Sequence, residues 1–307
     1  MTRNRPRSAA RRRAWIRRTL LLLCLLTPQV QAAELLLSTA GDTSALQRFG
    51  NALAAARPAD RVRIVALNEI PPLDQIPATT RLILFGHAAL AWRLDSPTGP
   101  PTLMLQVSKT QAREALGERQ PANFSMLWQD PAPRRQLRLL KHLLPNVTRV
   151  GVLHHPHSEF LIDELRQTAS GLGLEIVAQN WPDTRDNQPV IRVLGVSDVL
   201  LAVADDDLYN PLTAKTLLLT SYGQQHALIG PSAGFVRAGS LASTYGDQDD
   251  WLATLDQLLD QAPAQWPAGT YSNTFKVLGN PQVARALGIT LPSDAELARH
   301  LAQGDTP

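Results

Sequence analysis

Three short stretches and a set of isolated polar residues carry the side chains that could do chemistry. The first stretch is His154-His155-Pro156-His157, dense enough in imidazole to bind zinc. It has no cysteine beside it, its nearest carboxylate in sequence is Glu159, and Pro156 breaks any helix that would align the rings, so a polar loop is the reading adopted and no metal site is expected. The second is Asp205-Asp206-Asp207, which could receive a cation or an amino group, although a helix N-terminus favours acids in any case. Gly230-Pro231-Ser232-Ala233-Gly234 spells the G-x-S-x-G of a nucleophile elbow. An elbow needs a helix directly after the serine and a later histidine. Phe235-Val236-Arg237-Ala238-Gly239 does not read as a helix, and His300 is the sole histidine that follows.

Other catalytic signatures are missing. There is no Walker loop, no H-E-x-x-H and no dinucleotide fingerprint after the first apolar run. The expectation is a protein that is not an enzyme and carries no cofactor.

The isolated residues gain meaning from the elements that would hold them. Leu35–Ser38, Val62–Leu67, Leu82–Phe85 and Leu103–Val107 are apolar runs with strand character, separated by helical spacing such as Ala45, Leu46, Phe49 and Leu53 after a capping Asp42. The pattern restarts with a helix through Leu137, Leu140 and Leu144. Strands at Val150–Leu153, Leu174–Val177, Val199–Val203 and Ala227–Ile229 follow, with helices over about 159–170 and 211–225. Continuous apolar strands between helices imply parallel sheets covered on both faces. The fold class is α/β, with two Rossmann-like lobes joined near 121–131, where Pro121, Pro131 and Pro133 cluster. Further on, Trp251, Leu252, Leu255, Leu258 and Leu259 form a helical stripe, and Ser293-Asp294-Ala295-Glu296 is a capping box.

In open α/β sheets a ligand binds beyond the carboxyl ends of the strands. Those ends carry Ser38, Thr39, Gly86, His87, Ser108 and Lys109 in the first lobe, and His154, His155, Asp205, Asp207 and Ser232 in the second. Tyr209, Phe235 or Tyr245 could stack on an aromatic solute. The candidate ligand set is Ser38, Thr39, Gly86, His87, Ser108, Asp205, Asp207, Ser232, Phe235 and Tyr245.

The charge balance and the leader set the compartment. The chain of 307 residues has a formal net charge of +3, but eight arginines and no acids fall within residues 1–32. The remainder holds 22 basic against 27 acidic residues, which argues against nucleic acid as a partner. The arginines precede Leu20–Leu26, too short to span a bilayer, and Val30-Gln31-Ala32 fits a cleavage site before Ala33. Residues 1–32 therefore read as a Sec-type signal peptide and the mature protein as periplasmic. Its single cysteine, Cys24, would leave with the leader.

The C-terminal third carries a resemblance. Ala227-Leu228-Ile229-Gly230, Val236-Arg237-Ala238-Gly239-Ser240-Leu241-Ala242-Ser243 and Gly279-Asn280-Pro281-Gln282-Val283-Ala284-Arg285-Ala286-Leu287-Gly288-Ile289-Thr290-Leu291-Pro292 resemble the ABC-transporter substrate-binding family that includes tryptophan/tyrosine-binding lipoproteins. The likeness covers roughly residues 125–295. It implies a type I periplasmic-binding-protein fold with three crossovers, lobe one at 33–125 plus 240–265 and lobe two at 126–239 plus 266–307. It also implies capture of a small solute, of the amino-acid kind, in the cleft, delivery to an inner-membrane ABC permease, and a monomer. The proline-rich Asn68–Arg81, where the family places a full helix, shortens the first lobe. That departure keeps a second reading open, an accessory or sensory partner of a membrane kinase or TonB-dependent receptor with weak or no solute binding.

Overall fold

The computed structural model describes residues 33–303 except 97, 118 and 120, so the expected signal peptide lies outside the described residues. The first lobe begins with β1 (Glu34–Thr39), α1 (Thr43–Ala56), β2 (Arg61–Ile64), β3 (Arg81–Phe85) and α2 (His87–Leu94). It continues with β4 (Thr102–Val107), α3 (Lys109–Leu116) and β5 (Phe124–Trp128). The second holds α4 (Pro133–Leu143), β6 (Arg149–His154), α5 (Phe160–Ser170), β7 (Glu175–Asn180), α6 (Gln188–Leu194) and β8 (Val199–Leu201). Next come α7 (Pro211–Gly223), β9 (Leu228–Ile229), α8 (Ala233–Ala238) and β10 (Ala242–Tyr245). The chain then returns through α9 (Gln248–Leu259) and β11 (Gly269–Thr270), and ends on β12 (Lys276–Gly279), α10 (Pro281–Ala286) and α11 (Asp294–Ala302).

Two six-stranded sheets result, ordered β11-β5-β4-β3-β1-β2 and β12-β10-β9-β8-β6-β7. The pairings are parallel except β10 with β12. Alternation explains why the strands are apolar throughout. Leu35, Leu37, Ile83, Phe85, Leu103 and Leu105 pack on one face with α1 and α9, while Leu36, Leu82, Leu84, Met104 and Met126 pack on the other with α2 and α3. Each side chain so buried contributes ~1.5–3 kcal/mol. The second lobe has one continuous core that includes Leu137, Val150, Val152, Trp181, Leu200, Ile229 and Leu297.

The expected lobe boundaries need correction from the sheets. β10, expected in lobe one within 240–265, lies in the second sheet, where Ala242 pairs with Ile229 and Gln136 of α4 accepts from the Thr244 N–H at 2.9 Å. β11, expected in lobe two, lies in the first sheet beside Met126 and Leu127. Gly269 permits this, because a Cβ there would run into the Trp128 ring. Lobe one thus comprises about 33–128 plus 248–270, lobe two about 133–245 plus 276–302, and the chain crosses at 129–132, 246–247 and 271–275. Between β2 and β3 there are two single 3-10 turns, Leu67–Glu69 and Leu73–Gln75, in place of a helix.

Candidate functional site

The carboxyl ends of both sheets face one cleft of about 460 Å³. From lobe one and the crossovers it is lined by Gln106, Ser108, Gln129, Asp130, Gly246 and Trp251, and from lobe two by Asp205, Asp206, Tyr209, Ser232 and Tyr245. A second hollow of about 420 Å³, lined by Thr39, Asp42, Gly86, His87 and Gln248, shares Gln106 and Trp251 with it and extends the cleft into lobe one.

Of the ten residues expected here, Thr39, Gly86, His87, Ser108, Asp205, Ser232 and Tyr245 line these two spaces. Three do not. Ser38 is fully buried within β1 and its Oγ has no partner. Phe235 points into lobe two, edge-on to Tyr209 with ring centroids 6.1 Å apart. Asp207 is exposed and turns toward His157, 3.6 Å away. Asp205 forms part of the wall, but its buried carboxylate is occupied. It accepts from the Ser158 hydroxyl, from the His155 N–H at 3.3 Å and from the Asp207 N–H at 3.1 Å. Asp206, like Asp130, faces the cleft, and its Oδ2 accepts from the Gln111 amide at 3.5 Å. Burial, then the neighbouring Asp205 and Asp207 charges, raise its pKa above the ordinary aspartate range.

Two serines at the cleft are consumed locally. Ser108 caps α3 in a capping box with Gln111. Contrary to the sequence reading, a helix does follow Gly230–Gly234, namely α8, and Ser232 is its cap, accepting from the Phe235 N–H at 3.2 Å. Ser232 has extended backbone (φ −161°, ψ 163°) rather than a strained turn, and His300 stacks on His142 of α4, with ring centroids 4.1 Å apart. The elbow pattern is therefore a helix cap.

The N-terminus of α2 differs from those of α1, α3, α7, α8 and α9, which are closed by their own caps. Its cap position is Gly86, at φ +85°, which has no side chain to offer, so the first N–H groups of α2 open onto the lobe-one hollow.

Sequence reasoning missed Gln106, Gln129, Asp130 and Trp251. Gln106 has φ +57° at a bulge between Leu105 and Val107, which swings its side chain out of an otherwise buried strand. The signal was present, since one glutamine interrupts Leu103-Met104-Leu105-Gln106-Val107. Asp130 sits on the first crossover, where its Oδ2 accepts from the Lys109 N–H at 2.7 Å and its enclosed Oδ1 has no partner. Burial pushes this carboxyl up to about 7.

Beside the cleft the lobes are tied. The Lys109 ammonium of α3 donates to both Glu164 oxygens of α5 at 2.8 and 2.7 Å, 4.8 Å from the Tyr271 ring centroid and 5.7 Å from that of Trp128. The Tyr271 hydroxyl donates to the same Glu164 at 3.1 Å.

No family model matches the sequence, and no curated protein matches it. Solved structures do. A ligand-free, open substrate-binding protein with adhesive properties from Clostridium difficile aligns with a TM-score of 0.64 and 18% identity, over 86% of this chain and 97% of that one. An ABC domain from Streptococcus pneumonia, in complex with L-Trp, aligns at 0.56 and 16%, over 87% and 98%. A conserved domain protein from Vibrio cholerae aligns at 0.55 and 16%, also over 87% and 98%. The chain has the fold of this class, the type I periplasmic-binding-protein fold of ABC-transporter solute-binding proteins.

Proposed function

We propose that this protein is an exported solute-binding protein that captures a small zwitterionic metabolite of the amino-acid kind between its lobes and presents it to an ABC permease. One observation carries the reading, the polar cleft of about 460 Å³ walled by both lobes at the carboxyl ends of both sheets. Its chemistry suits a zwitterion. The open N-terminus of α2 offers N–H groups and a positive dipole end to a carboxylate. Asp206 offers a carboxylate to an ammonium group, and Trp251 and Tyr245 offer aromatic surface. The L-Trp held by the similarly folded Streptococcus protein is in keeping with such a ligand. The charged leader supports export, with maturation before Ala33 and action in the periplasm as a monomer. Binding rather than catalysis is the proposed role, since Ser108 and Ser232 act as helix caps.

The test is a thermal-shift screen of amino acids and related small metabolites, with native mass spectrometry of the purified protein. Ligand at a hundredfold excess over Kd should stabilise the fold by ~2.7 kcal/mol. Trp251→Ala and Asp206→Asn should each weaken binding of the hit by about tenfold or more. Absence of any shift across the panel would overturn solute capture. It would favour the accessory or sensory role beside a membrane kinase or TonB-dependent receptor, which the missing helix between β2 and β3 supports.

A further inference from the structure

The second lobe gathers a set of donor atoms apart from the ligand groups of the cleft. His155 and His157 come from the turn after β6, and Asp205 and Asp207 from the turn after β8. In sequence the nearest carboxylate to the histidines is Glu159; in space the sheet order places β8 beside β6 and supplies two others. The Nδ1 atoms of His155 and His157 lie 2.6 Å apart, a hydrogen bond between the two rings whose shared proton a metal ion would replace. On the opposite edge of the His157 ring, Nε2 lies 3.6 Å from Oδ2 of Asp207 and 3.7 Å from Oδ1 of Asp205, so the ring would give an ion one of its two nitrogens while the other stays with its present neighbour. One ligand atom each from His155, His157 and Asp207 falls within 4.8 Å of the others. Metal–nitrogen bonds of ~2.0–2.1 Å at a tetrahedral angle hold two ring nitrogens about 3.3 Å apart, a spacing reached here by a small rotation of the exposed His157 ring.

A ligand set also needs fixed backbones, and buried Asp205 provides that. Its carboxylate ties both turns together through the Ser158 hydroxyl and the N–H groups of His155 and Asp207. We propose that His155, His157 and Asp207 form a binding site for a divalent first-row transition cation of the zinc type, with Asp205 as the positioning residue beneath it. Two imidazoles and one carboxylate select such an ion over magnesium or calcium, which prefer all-oxygen shells. Three protein ligands leave one tetrahedral position for an outside donor. The site stands apart from the solute reading, since the cleft's own groups remain in place without it. It does border the approach of lobe one, because Thr110 donates to the Ala204 carbonyl at 3.3 Å and the Gln111 amide to Asp206 at 3.5 Å.

Zinc chloride titrated into the protein, prepared without a polyhistidine tag, tests this by calorimetry and native mass spectrometry. The expected result is one zinc per chain, with affinity lowered by about tenfold or more in His157→Gln and in Asp207→Asn, and binding lost in the His155→Ala/His157→Ala double variant. His157 and Asp207 are exposed, so the metal-free variants should melt with the wild type. A His142→Gln/His300→Gln variant, which removes the stacked pair on α4 and α11, should bind zinc as the wild type does. Failure of the wild type to bind zinc at submillimolar concentration would overturn the site. So would unchanged affinity in His157→Gln and Asp207→Asn, or loss of binding in the His142/His300 variant alone.

Discussion

At the scale of single residues, the molecule places a strongly perturbed carboxyl on a crossover between lobes. Asp130 titrates at about 7 because its carboxyl is enclosed, and the Lys109 N–H offsets only part of that burial. The native state therefore keeps a proton that the unfolded chain has released from about pH 4 upward. Stability from this group is greatest in acid, falls as pH rises from about 4 to about 7, and levels off above. Asp130→Asn removes the penalty. It should raise stability at pH 8 by the order of 1–4 kcal/mol and flatten the pH dependence of the melting temperature between pH 5 and 8. Parallel profiles for variant and wild type would sink the assignment. Asp130 was legible in the sequence only as part of a proline-flanked join, because what shifts it is enclosure by two lobes, which no local pattern encodes.

At the scale of elements, segments written as a continuous apolar run were readable, the short β8 and β9 included, and segments without one were not. β1, β3, β4, β6 and α5 fall where apolar runs and spacing place them, since a buried strand or an amphipathic helix must write its environment into its residues. β10, β11 and β12 span four, two and four residues and owe their existence to neighbours already in the sheet. β5 was hidden by Pro121 and Pro131, which made Phe124–Trp128 look like a linker. The same logic divides the candidate site. Strand-end positions such as Thr39 and His87 follow from topology, whereas Gln106 depends on a bulge and Trp251 on a helix that returns from the other lobe. Gly86 gives this scale its prediction. At φ +85° and ψ 164°, with open space where a Cβ would stand, Gly86→Ala meets no clash but must adopt an extended positive-φ backbone that is essentially glycine's alone, costing ~1–3 kcal/mol. If the open N-terminus of α2 receives the solute carboxylate, the variant should also lose affinity in the thermal-shift assay. Full affinity with reduced stability would confine Gly86 to a structural role.

At the scale of the whole molecule, the geometry of the lobes rests on few contacts beyond the three crossovers. The Lys109–Glu164 pair is the most developed of them, and Trp128 and Tyr271 shield it in part from water. Lys109→Met should loosen the pair of lobes by ~1 kcal/mol, the worth of a partly screened ion pair with an aromatic neighbour. Small-angle scattering would register this as a larger radius of gyration in the absence of ligand, and an unchanged value would exclude the pair as a restraint. The interleaved path has a further consequence, for the order in which the protein can be made. The first sheet waits for β11 at 269–270 and the second for β12 at 276–279, with Leu297 and Leu301 closing the second core from the last helix. A chain emerging from its N-terminus cannot finish either half before about residue 270 has been made, so the two halves mature together. Removing α11 should take Leu297 and Leu301 out of the second core and uncover β12 and α4, not merely trim a tail.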